Sequence, residues 1–392
     1  MNKKDKEFTK KIKVLLLEGF SRQSLPMMKY LHKCGCFLAT YNSSRLDVGF
    51  VSHYPDKKYL LPWNRDNEAK SFEYLVELIS KEKFDVIIPT TDFSASLCSK
   101  HKKELSVYAQ IAVNDWDVFQ LAYNKMNTML ACIQCGVPCP KTLLNTHSLS
   151  GLLSQKIEYP VVMKPCIGYG SIGFHIIKNE EELIQKFEKT KKEFGELLIQ
   201  EYIPQTDIQY KCEMLIDKNG NVKSGVVFNK VRWYPIDGGS TCCSVTVDRP
   251  DIIDYCTKLL KHIKWVGYAD IDLIQDPRDN TPKVMEINPR ITASVKICFY
   301  AGVDFAKQIV QQELGKEIEQ YNSYILDRRL RYFHTDLLWF FKSKNRFKCK
   351  PSWFSWHRTV DQIWSWADPL PWFTYTIQCL KKYKKESKKR ER

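Results

Sequence analysis

The sequence predicts an α/β protein with additional α+β lobes, and three patterns support this prediction. Short apolar strands alternate with amphipathic helices over roughly the first 115 residues. The segment 84–89 (FDVIIP) is apolar throughout, which is typical of a parallel sheet covered on both faces. Two hairpin patterns follow later in the chain. We therefore expect a Rossmann-like domain over 1–115, a mixed α/β domain over 116–320 and a C-terminal extension over 321–392.

In the N-terminal part, the apolar spacing predicts strands at 13–18, 36–41 and 84–89, with helices at 21–32 and 67–83. The turn after the first strand lacks the GxGxxG pattern, so it carries no dinucleotide fingerprint. The middle part predicts a helix that ends at Gly136, a mobile lid near 140–203 and two hairpins. Its expected elements are a helix at 115–135, a strand at 159–165, a helix at 180–194, a strand at 196–202, and hairpins at 210–231 and 267–288.

Composition favours an ordinary globular protein of 392 residues, with 44% apolar and 27% charged residues. No apolar run reaches 18 residues, and the stretch Val14–Leu17 is too short for a signal-peptide core, so we expect a cytoplasmic protein. The fourteen cysteines are interpreted as reduced thiols, including the Cys132/Cys135 and Cys242/Cys243 pairs. The net charge of +15 is concentrated in residues 331–392, where fifteen Lys and Arg face five Asp and Glu.

A glycine-rich loop at 168–173 (GYGSIG) directly follows a predicted strand. Backbone N–H groups of such a loop can fold over phosphate oxygens, although flexible hairpins have the same composition. Lys164, at the end of the preceding strand, and Lys125 further upstream would add positive charge. The residues of the loop that we assign to phosphate binding are Gly168, Gly170, Ser171 and Gly173.

The strongest pattern lies near residue 290. Glu286, Asn288 and Arg290 are spaced two residues apart, so on a strand they share one face. Asp270 and Asp272 share a face of the preceding strand. Two carboxylates and an amide oxygen that converge across a hairpin suit Mg²⁺. The alternative is a solvated acidic face with a surface arginine, which the apolar neighbours of these residues disfavour.

These features occur in the order found in ATP-grasp ligases. Lys125, the glycine-rich loop, the QEYIP segment (200–204), Asp272 and the EINPR segment (286–290) carry the resemblance, which covers roughly residues 10–315. The sequence resembles the carbamoyl-phosphate-synthase-like branch and also D-aspartate-ligase-type carboxylate–amine ligases. The EINPR segment, followed by TAS and AGVDF, is its most distinctive part.

The resemblance implies roles for individual residues. Lys125 and Lys164 would hold the phosphates of ATP, and the loop at 168–173 would close over them. Arg290 would stabilise the transferring phosphoryl group, while Lys230 and Arg232 would contact the γ-phosphate or the substrate carboxylate, beside the loop at 238–240. The residues implied to surround the adenosine part of ATP are Gln200, Glu201, Tyr202, Ile203 and Asp207. The residues implied to hold Mg²⁺, with Mn²⁺ as an alternative, are Asp272, Glu286 and Asn288.

The implied activity is an ATP-dependent ligase that activates a carboxylate as an acyl phosphate and joins it to an amine. Carbamoyl-phosphate-synthase-like activity is one alternative, but Ala293 stands where those enzymes usually have a second arginine, and there is a single ligase unit. Asn124 stands where many relatives have aspartate. A non-catalytic ATP-binding scaffold and a nucleic-acid-binding protein are further alternatives. Residues 18–22 and 90–92 are expected to help select small-molecule carboxylate and amine substrates, and relatives suggest a homodimer.

The C-terminal extension is basic and aromatic, with six of the ten tryptophans between Trp339 and Trp372. Three interpretations remain open. The aromatic residues can pack on the body of the protein. Interfacial tryptophan and basic charge can hold the protein at the inner surface of a membrane. Basic and aromatic residues can also bind nucleic acid.

Overall fold

The computed structural model describes residues 12–63, 66–168, 172–205, 208–236 and 240–390, with side chains as far as 381. The strands are β1 (Lys13–Leu16), β2 (Phe37–Asn42), β3 (Lys57–Leu60), β4 (Val86–Ile88), β5 (Gln110–Ile111), β6 (Val161–Pro165), β7 (His175–Ile177), β8 (Leu197–Glu201), β9 (Gln209–Ile216), β10 (Val222–Tyr234), β11 (Ser240–Thr246), β12 (Gly267–Gln275), β13 (Pro282–Asn288), β14 (Arg329–Arg331) and β15 (Thr359–Asp361). The helices are α1 (Ser24–Lys33), α2 (Val48–Val51), α3 (Glu68–Glu82), α4 (Asp92–Lys100), α5 (Lys102–Leu105), α6 (Trp116–Tyr123), α7 (Lys125–Cys135), α8 (Leu149–Leu153), α9 (Glu180–Phe194), α10 (Pro250–His262), α11 (Val295–Tyr300), α12 (Phe305–Glu313), α13 (Phe333–Lys342) and α14 (Leu370–Arg390).

The N-terminal part is a parallel five-stranded sheet in the order β3-β2-β1-β4-β5. Alternate residues of β1 enter two different cores. Leu16 packs with Met27 of α1, whereas Leu15 packs with Leu75 of α3. A parallel sheet buries both faces because the crossover helices lie on either side of it. The α/β class predicted from the sequence is confirmed.

A seven-stranded sheet forms the centre of the molecule, in the order β13-β12-β9-β10-β11-β14-β15. Neighbouring strands are antiparallel except for β14 and β15, which are parallel. Along β10, Val226 and Phe228 pack in a core shared with the N-terminal sheet, while Val227 packs over α10. The sheet is therefore covered by apolar layers on both faces, and polar residues of β9 to β13 line a cleft.

A smaller antiparallel sheet, β7-β6-β8, and α9 lie in the segment predicted as a lid, and we call this sheet and helix the lid. Leu183 and Phe187 of α9 pack on Val161, Met163 and Ile199 of this sheet. The Asn179 side chain accepts a hydrogen bond from the backbone N–H of Glu182 at the start of α9. Thus the lid has its own apolar core, separate from the core of the central sheet.

The prediction of a single helix at 115–135 is wrong, because the segment forms two helices, α6 and α7. Asn124 has an extended backbone conformation and separates α6 from α7. Its side chain accepts a hydrogen bond from the backbone N–H of Met126 at 2.9 Å, which is typical of an N-cap. As a result, Lys125 becomes the first residue of α7 and faces the lid.

The extension joins the central sheet. β14 pairs with β11, β15 pairs with β14, and α13 packs against β10 and β11. Arg331 lies 4.3 Å from the ring centroid of Trp353 and 4.5 Å from that of Trp356. Much of the extension therefore packs on the body of the protein, which is the first of the three interpretations of this region. No helix in the described part of the chain is sufficiently long and apolar to cross a membrane.

Candidate active site

A cleft of about 620 Å³ lies where the N-terminal sheet, the central sheet, the lid and the extension meet. Most of the predicted site residues line it. From the predicted set, the cleft contains Lys125, Lys164, Gly168, Tyr202, Lys230, Asp272, Glu286, Asn288 and Arg290. The extension contributes Leu330, Tyr332 and Gln362. The sequence did not predict this contribution.

The predicted metal ligands lie together on β12 and β13. Asp272 and Glu286 are directly opposite each other in the strand register. The Asn288 amide nitrogen donates to Asp272 Oδ2 at 2.9 Å. These oxygen donors are of the type that Mg²⁺ prefers. Their geometry therefore fits the predicted metal site, and their role as ligands stays a prediction.

Lysines neutralise these carboxylates. Lys230 pairs with Asp272, Lys211 lies 3.3 Å from Asp272, and Lys125 lies 3.2 Å from Glu286. Burial acts to raise the pKa of Asp272, but the charges of Lys211 and Lys230 hold it well below its ordinary value. Within the described residues, no group of three His, Cys, Asp or Glu side chains forms a metal site, so the amide of Asn288 or a bound phosphate would complete the ligand set.

Asp270 lies beneath this layer, fully buried and paired with Lys211. Burial raises its pKa, and the neighbouring Asp272 acts in the same direction. Glu213 is opposite Asp270 on β9, and burial followed by the charge of Asp270 raises the pKa of Glu213 to about 7. Asp270 thus supports the site from below and does not line the cleft.

Lys164 and Lys125 provide positive charge under the lid. The Lys164 ammonium forms no hydrogen bond or ion pair with the described residues, and burial lowers its pKa to about 8. Lys125 Nζ donates to the carbonyl of Gly168 at 2.8 Å. Gly173 ends the loop at a φ of +73°, a conformation that favours glycine. A buried cation without a partner fits an anionic ligand such as a phosphate.

The prediction for Arg232 is wrong, whereas Lys230 lines the cleft as expected. Arg232 is buried on the other side of β10, where Nε and Nη2 lie 2.7 and 3.1 Å from the carboxylate of Asp336. The register of β10 against β11 shifts on both sides of Arg232. A bulge of this kind breaks the alternation of side chains, so two residues spaced by two need not share a face.

Arg290 lies in the cleft and is held by the N-terminal part. Asp92, the first residue of α4, accepts from Arg290 Nη2 at 2.8 Å, and its second oxygen lies 2.8 Å from Nε. Thr91 caps this helix through the backbone N–H of Ser94. Burial acts to lower the pKa of Arg290, but the charge of Asp92 raises it. Arg290 is therefore a fixed, permanently charged group.

The predicted adenosine segment enters the cleft with fewer side chains than expected. Tyr202 and the neighbouring Gln205 line the cleft. Gln200 is buried and donates to Thr142 Oγ1 at 3.0 Å, so its side chain does not reach the cleft. Glu201 pairs with Arg278 and Lys283 outside the cleft, and Ile203 is buried.

Some predicted residues lie outside the described residues. They are Gly170 and Ser171 of the loop, Asp207, and Gly238 and Gly239 beside Lys230. Sequence reasoning also missed Lys211 and the contacts of Arg22. Lys211 lies on β9 opposite Asp272, a pairing that becomes visible only when the strand order is known. Arg22 lay within a segment expected to select substrates, but its contacts with the extension had no signal in the sequence.

Comparisons with known proteins agree with this geometry. Residues 122–294 match the ATP-grasp domain family. The chain is 28% identical over 258 residues to D-aspartate ligase from Enterococcus faecium (strain Aus0004), covering 60% of each protein. It is 24% identical over 195 residues to the C-terminal section of the carbamoyl phosphate synthase large chain from Methanopyrus kandleri, covering 47% of this chain and 36% of that protein. The chain therefore spans less than two thirds of the length of these relatives.

A solved structure also superposes on most of the chain. It is the biotin carboxylase domain dimer of Hydrogenobacter thermophilus 2-oxoglutarate carboxylase, in complex with MgADP, ADP and bicarbonate. The TM-score is 0.68 at 19% identity, and the match covers 81% of this chain and 73% of that one. At this identity the likeness supports the fold alone.

Residues 122–294 are an ATP-grasp domain. The predicted ATP-grasp fold is confirmed, and so is the predicted relationship to carbamoyl phosphate synthase and D-aspartate ligase. The ligase activity that the resemblance implies stays a prediction. The domain boundaries and the roles of single residues stay predictions.

Proposed function

We propose that this protein is an ATP- and magnesium-dependent carboxylate–amine ligase. One observation carries the proposal: Asp272, Glu286 and Asn288 share a cleft with Lys125, Lys164 and Arg290. Oxygen donors beside several cations suit the triphosphate of ATP and a second anionic substrate. The similarity to D-aspartate ligase supports an amine as the final acceptor.

In the proposed reaction, a carboxylate oxygen attacks the γ-phosphorus of ATP and ADP leaves, which gives an acyl phosphate. An amine nitrogen then attacks the carbonyl carbon, the C–O bond to phosphate breaks, and the nitrogen loses a proton. Lys125 and Lys164 would bind phosphate oxygens, and Arg290 would stabilise the charge on the transferring group. The lid would exclude water, which hydrolyses an acyl phosphate.

The residues present fit a magnesium ion. Asp272 and Glu286 supply two carboxylates across the β12–β13 pair, and Asn288 supplies an amide oxygen. When bound, Mg²⁺ neutralises phosphate charge and orients the triphosphate. The lysines that now pair with the carboxylates, Lys125 and Lys230, would then be available to phosphate oxygens.

The test is release of ADP and phosphate from Mg-ATP with pools of carboxylates and amines, using wild type and Glu286→Gln. We expect turnover that requires one carboxylate and one amine, and a loss of about 100-fold or more in Glu286→Gln. Lys81→Gln changes an exposed ion pair with Glu77, and neither residue lines the cleft, so this variant is the matched control and should retain full activity.

Hydroxylamine in place of the amine should trap the activated carboxylate as a hydroxamate. ADP release that does not depend on a carboxylate, or that survives in Glu286→Gln, contradicts the proposal. Tight ATP binding without turnover in any pool favours the scaffold alternative. Carbamoyl-phosphate-synthase-like activity requires turnover with bicarbonate as the carboxylate. The predicted homodimer stays a prediction.

We also propose that the extension contacts an anionic membrane surface. Phe341, Phe347 and Phe354 are exposed by 68, 70 and 61%, and the segment 342–350 contains five basic residues and no acidic residue. Aromatic side chains beside basic charge suit the interface of an anionic bilayer, where each nearby Lys or Arg contributes about 1 kcal/mol.

Co-sedimentation with phosphatidylglycerol vesicles tests this contact. We expect wild type to sediment with them and the double variant Phe341→Ser/Phe347→Ser to lose most of this binding. Val107→Ser removes an apolar side chain of the N-terminal part that is 80% exposed, and this variant should bind like wild type. Equal sedimentation of all three proteins, or binding to single-stranded nucleic acid in place of vesicles, overturns the proposal.

A further inference from the structure

Arg22 lies in the turn between β1 and α1, and its guanidinium lines the cleft. Nη1 donates to Oε1 of Gln362 at 2.9 Å. The guanidinium carbon lies 4.4 Å from the ring centroid of Tyr332. Both partners are neutral and both belong to the extension. No acidic side chain in the described part of the chain pairs with Arg22.

Most other cations of the cleft already have an acidic partner. Lys125 pairs with Glu286, Lys211 and Lys230 pair with Asp272, and Arg290 pairs with Asp92. Among the described residues, Lys164 is the other cleft cation without such a partner, and it lies under the lid with the groups assigned to the triphosphate. Arg22 therefore places an uncompensated positive charge on the wall formed by the N-terminal part and the extension.

The extension holds this guanidinium in place. Gln362 is buried, and its Nε2 donates to the carbonyl of Ala293 at 2.7 Å. Its backbone N–H donates to the carbonyl of Arg331 at 2.7 Å. The hydroxyl of Tyr332 is hydrogen-bonded to that of Tyr375 at 2.8 Å. Each group that touches Arg22 is thus fixed by a further contact, which is the condition for a preorganised site.

Ala293 connects Arg22, through Gln362, to the segment that follows Arg290. Ala293 follows Arg290 by three residues and has no charged side chain. Through Gln362, the Arg22 guanidinium lies one side chain away from the Ala293 carbonyl. Two guanidiniums from different parts of the chain, Arg22 and Arg290, therefore line the same cleft, and only Arg290 is neutralised by a carboxylate.

We propose that Arg22 binds the carboxylate of the substrate and that Gln362 and Tyr332 position it. The planar guanidinium matches a carboxylate through paired N–H groups. Polar side chains on the same cleft wall, Thr91, Thr292 and Ser294, suit the rest of a small polar acid. The inference rests on the proposed ligase function and names the residue that binds its carboxylate substrate.

Side-chain NMR on protein with ¹⁵N-labelled arginine tests the proposal. The Nε–H resonance of Arg22 is identified by its loss in Arg22→Lys. The probes are the twenty common L-amino acids, D-aspartate, bicarbonate and inorganic phosphate, each with and without Mg-ADP. We expect at least one carboxylate probe to shift the Arg22 resonance at a concentration at which phosphate does not.

Gln362→Glu places a carboxylate against Arg22 and keeps the guanidinium in the cleft. We expect it to weaken binding of that carboxylate by about tenfold or more, while the Kd for Mg-ADP stays within about twofold. Arg346→Lys, which changes an arginine of the extension outside the cleft, should bind like wild type. Thermal unfolding of each variant verifies that it is folded.

The proposal is overturned if no carboxylate probe shifts the Arg22 resonance, if phosphate at the same concentration or Mg-ADP alone shifts it, or if Gln362→Glu binds the carboxylate normally. Binding is measured without turnover, so its result is separate from the ADP-release test. A shift of Arg22 without ADP release in any pool would support carboxylate binding by Arg22 and contradict the ligase function. ADP release without a shift of the Arg22 resonance would support the ligase function and overturn the proposal for Arg22.

Discussion

At the scale of single residues, the cleft is a balance between buried charges. Asp272 stays ionised because two lysines contact it, whereas Lys164 has no such partner and loses part of its affinity for a proton through burial. The charge of Glu286 raises the pKa of Lys164, and the charge of Lys125 lowers it. Asp272 and Cys166 make smaller contributions that raise this pKa. The charge of Lys164 is therefore sensitive to mildly alkaline pH.

This balance predicts how ATP binding depends on pH. The pKa of free Lys164 is about 8, and a triphosphate prefers the protonated ammonium. The affinity for Mg-ATP should therefore be constant below pH 8 and should fall above it, by up to about tenfold per pH unit. We expect Lys164→Met to bind more weakly at every pH and to lack this dependence.

The measurement is the Kd for Mg-ATP between pH 6.5 and 9.5, by calorimetry. Lys178→Met, which removes a lysine of the lid outside the cleft, is the matched control and should keep the wild-type profile. Parallel profiles for wild type and Lys164→Met would show that another group is responsible.

At the scale of elements, the sequence predicted the β12–β13 hairpin well because its polar residues alternate with apolar ones over several positions. That alternation predicted that Asp272 and Glu286 converge across the hairpin, and their direct opposition is a result of the strand register. Arg232 was misplaced because a bulge in β10 interrupts the same rule. Alternation predicts which face a residue occupies only while the strand stays regular.

Three strands of the central sheet had no usable pattern. β11 (STCCSVT) is largely buried in the interior of the central sheet, and its small polar residues and cysteines do not alternate clearly with apolar ones. β14 and β15 have three residues each, which is too short for a period. Their pairing is defined by tertiary contacts, and for that reason the contribution of the extension to the cleft could not be predicted.

At the scale of the whole molecule, a buried ion cluster joins the extension to the central sheet. Asp336 of α13 is fully buried and lies between Arg232 of β10 and Arg331 of β14, at 2.7 and 2.5 Å. A third contact, from Arg232 Nη1 to the carbonyl of Pro351 at 2.9 Å, extends the cluster into the aromatic segment. The extension and the central sheet should therefore unfold together.

Replacing Asp336 with Asn tests this coupling. The change leaves two buried guanidiniums without a counter-charge, and we expect the free energy of unfolding to fall by about 3–5 kcal/mol. Asp327→Asn removes a carboxylate that pairs with Arg329 and Arg358 at the surface, and its effect should be about 1 kcal/mol or less.

Urea unfolding followed by circular dichroism and by tryptophan fluorescence measures both effects. Because six of the ten tryptophans lie in the extension, fluorescence reports mainly on that region, while circular dichroism reports on the whole chain. We expect the two transitions to coincide in wild type and to shift together in Asp336→Asn. If fluorescence changes first and Asp336→Asn moves only that transition, the extension is a separate folding unit. Tyr332 and Gln362 would then be able to leave the cleft without unfolding the ATP-grasp domain.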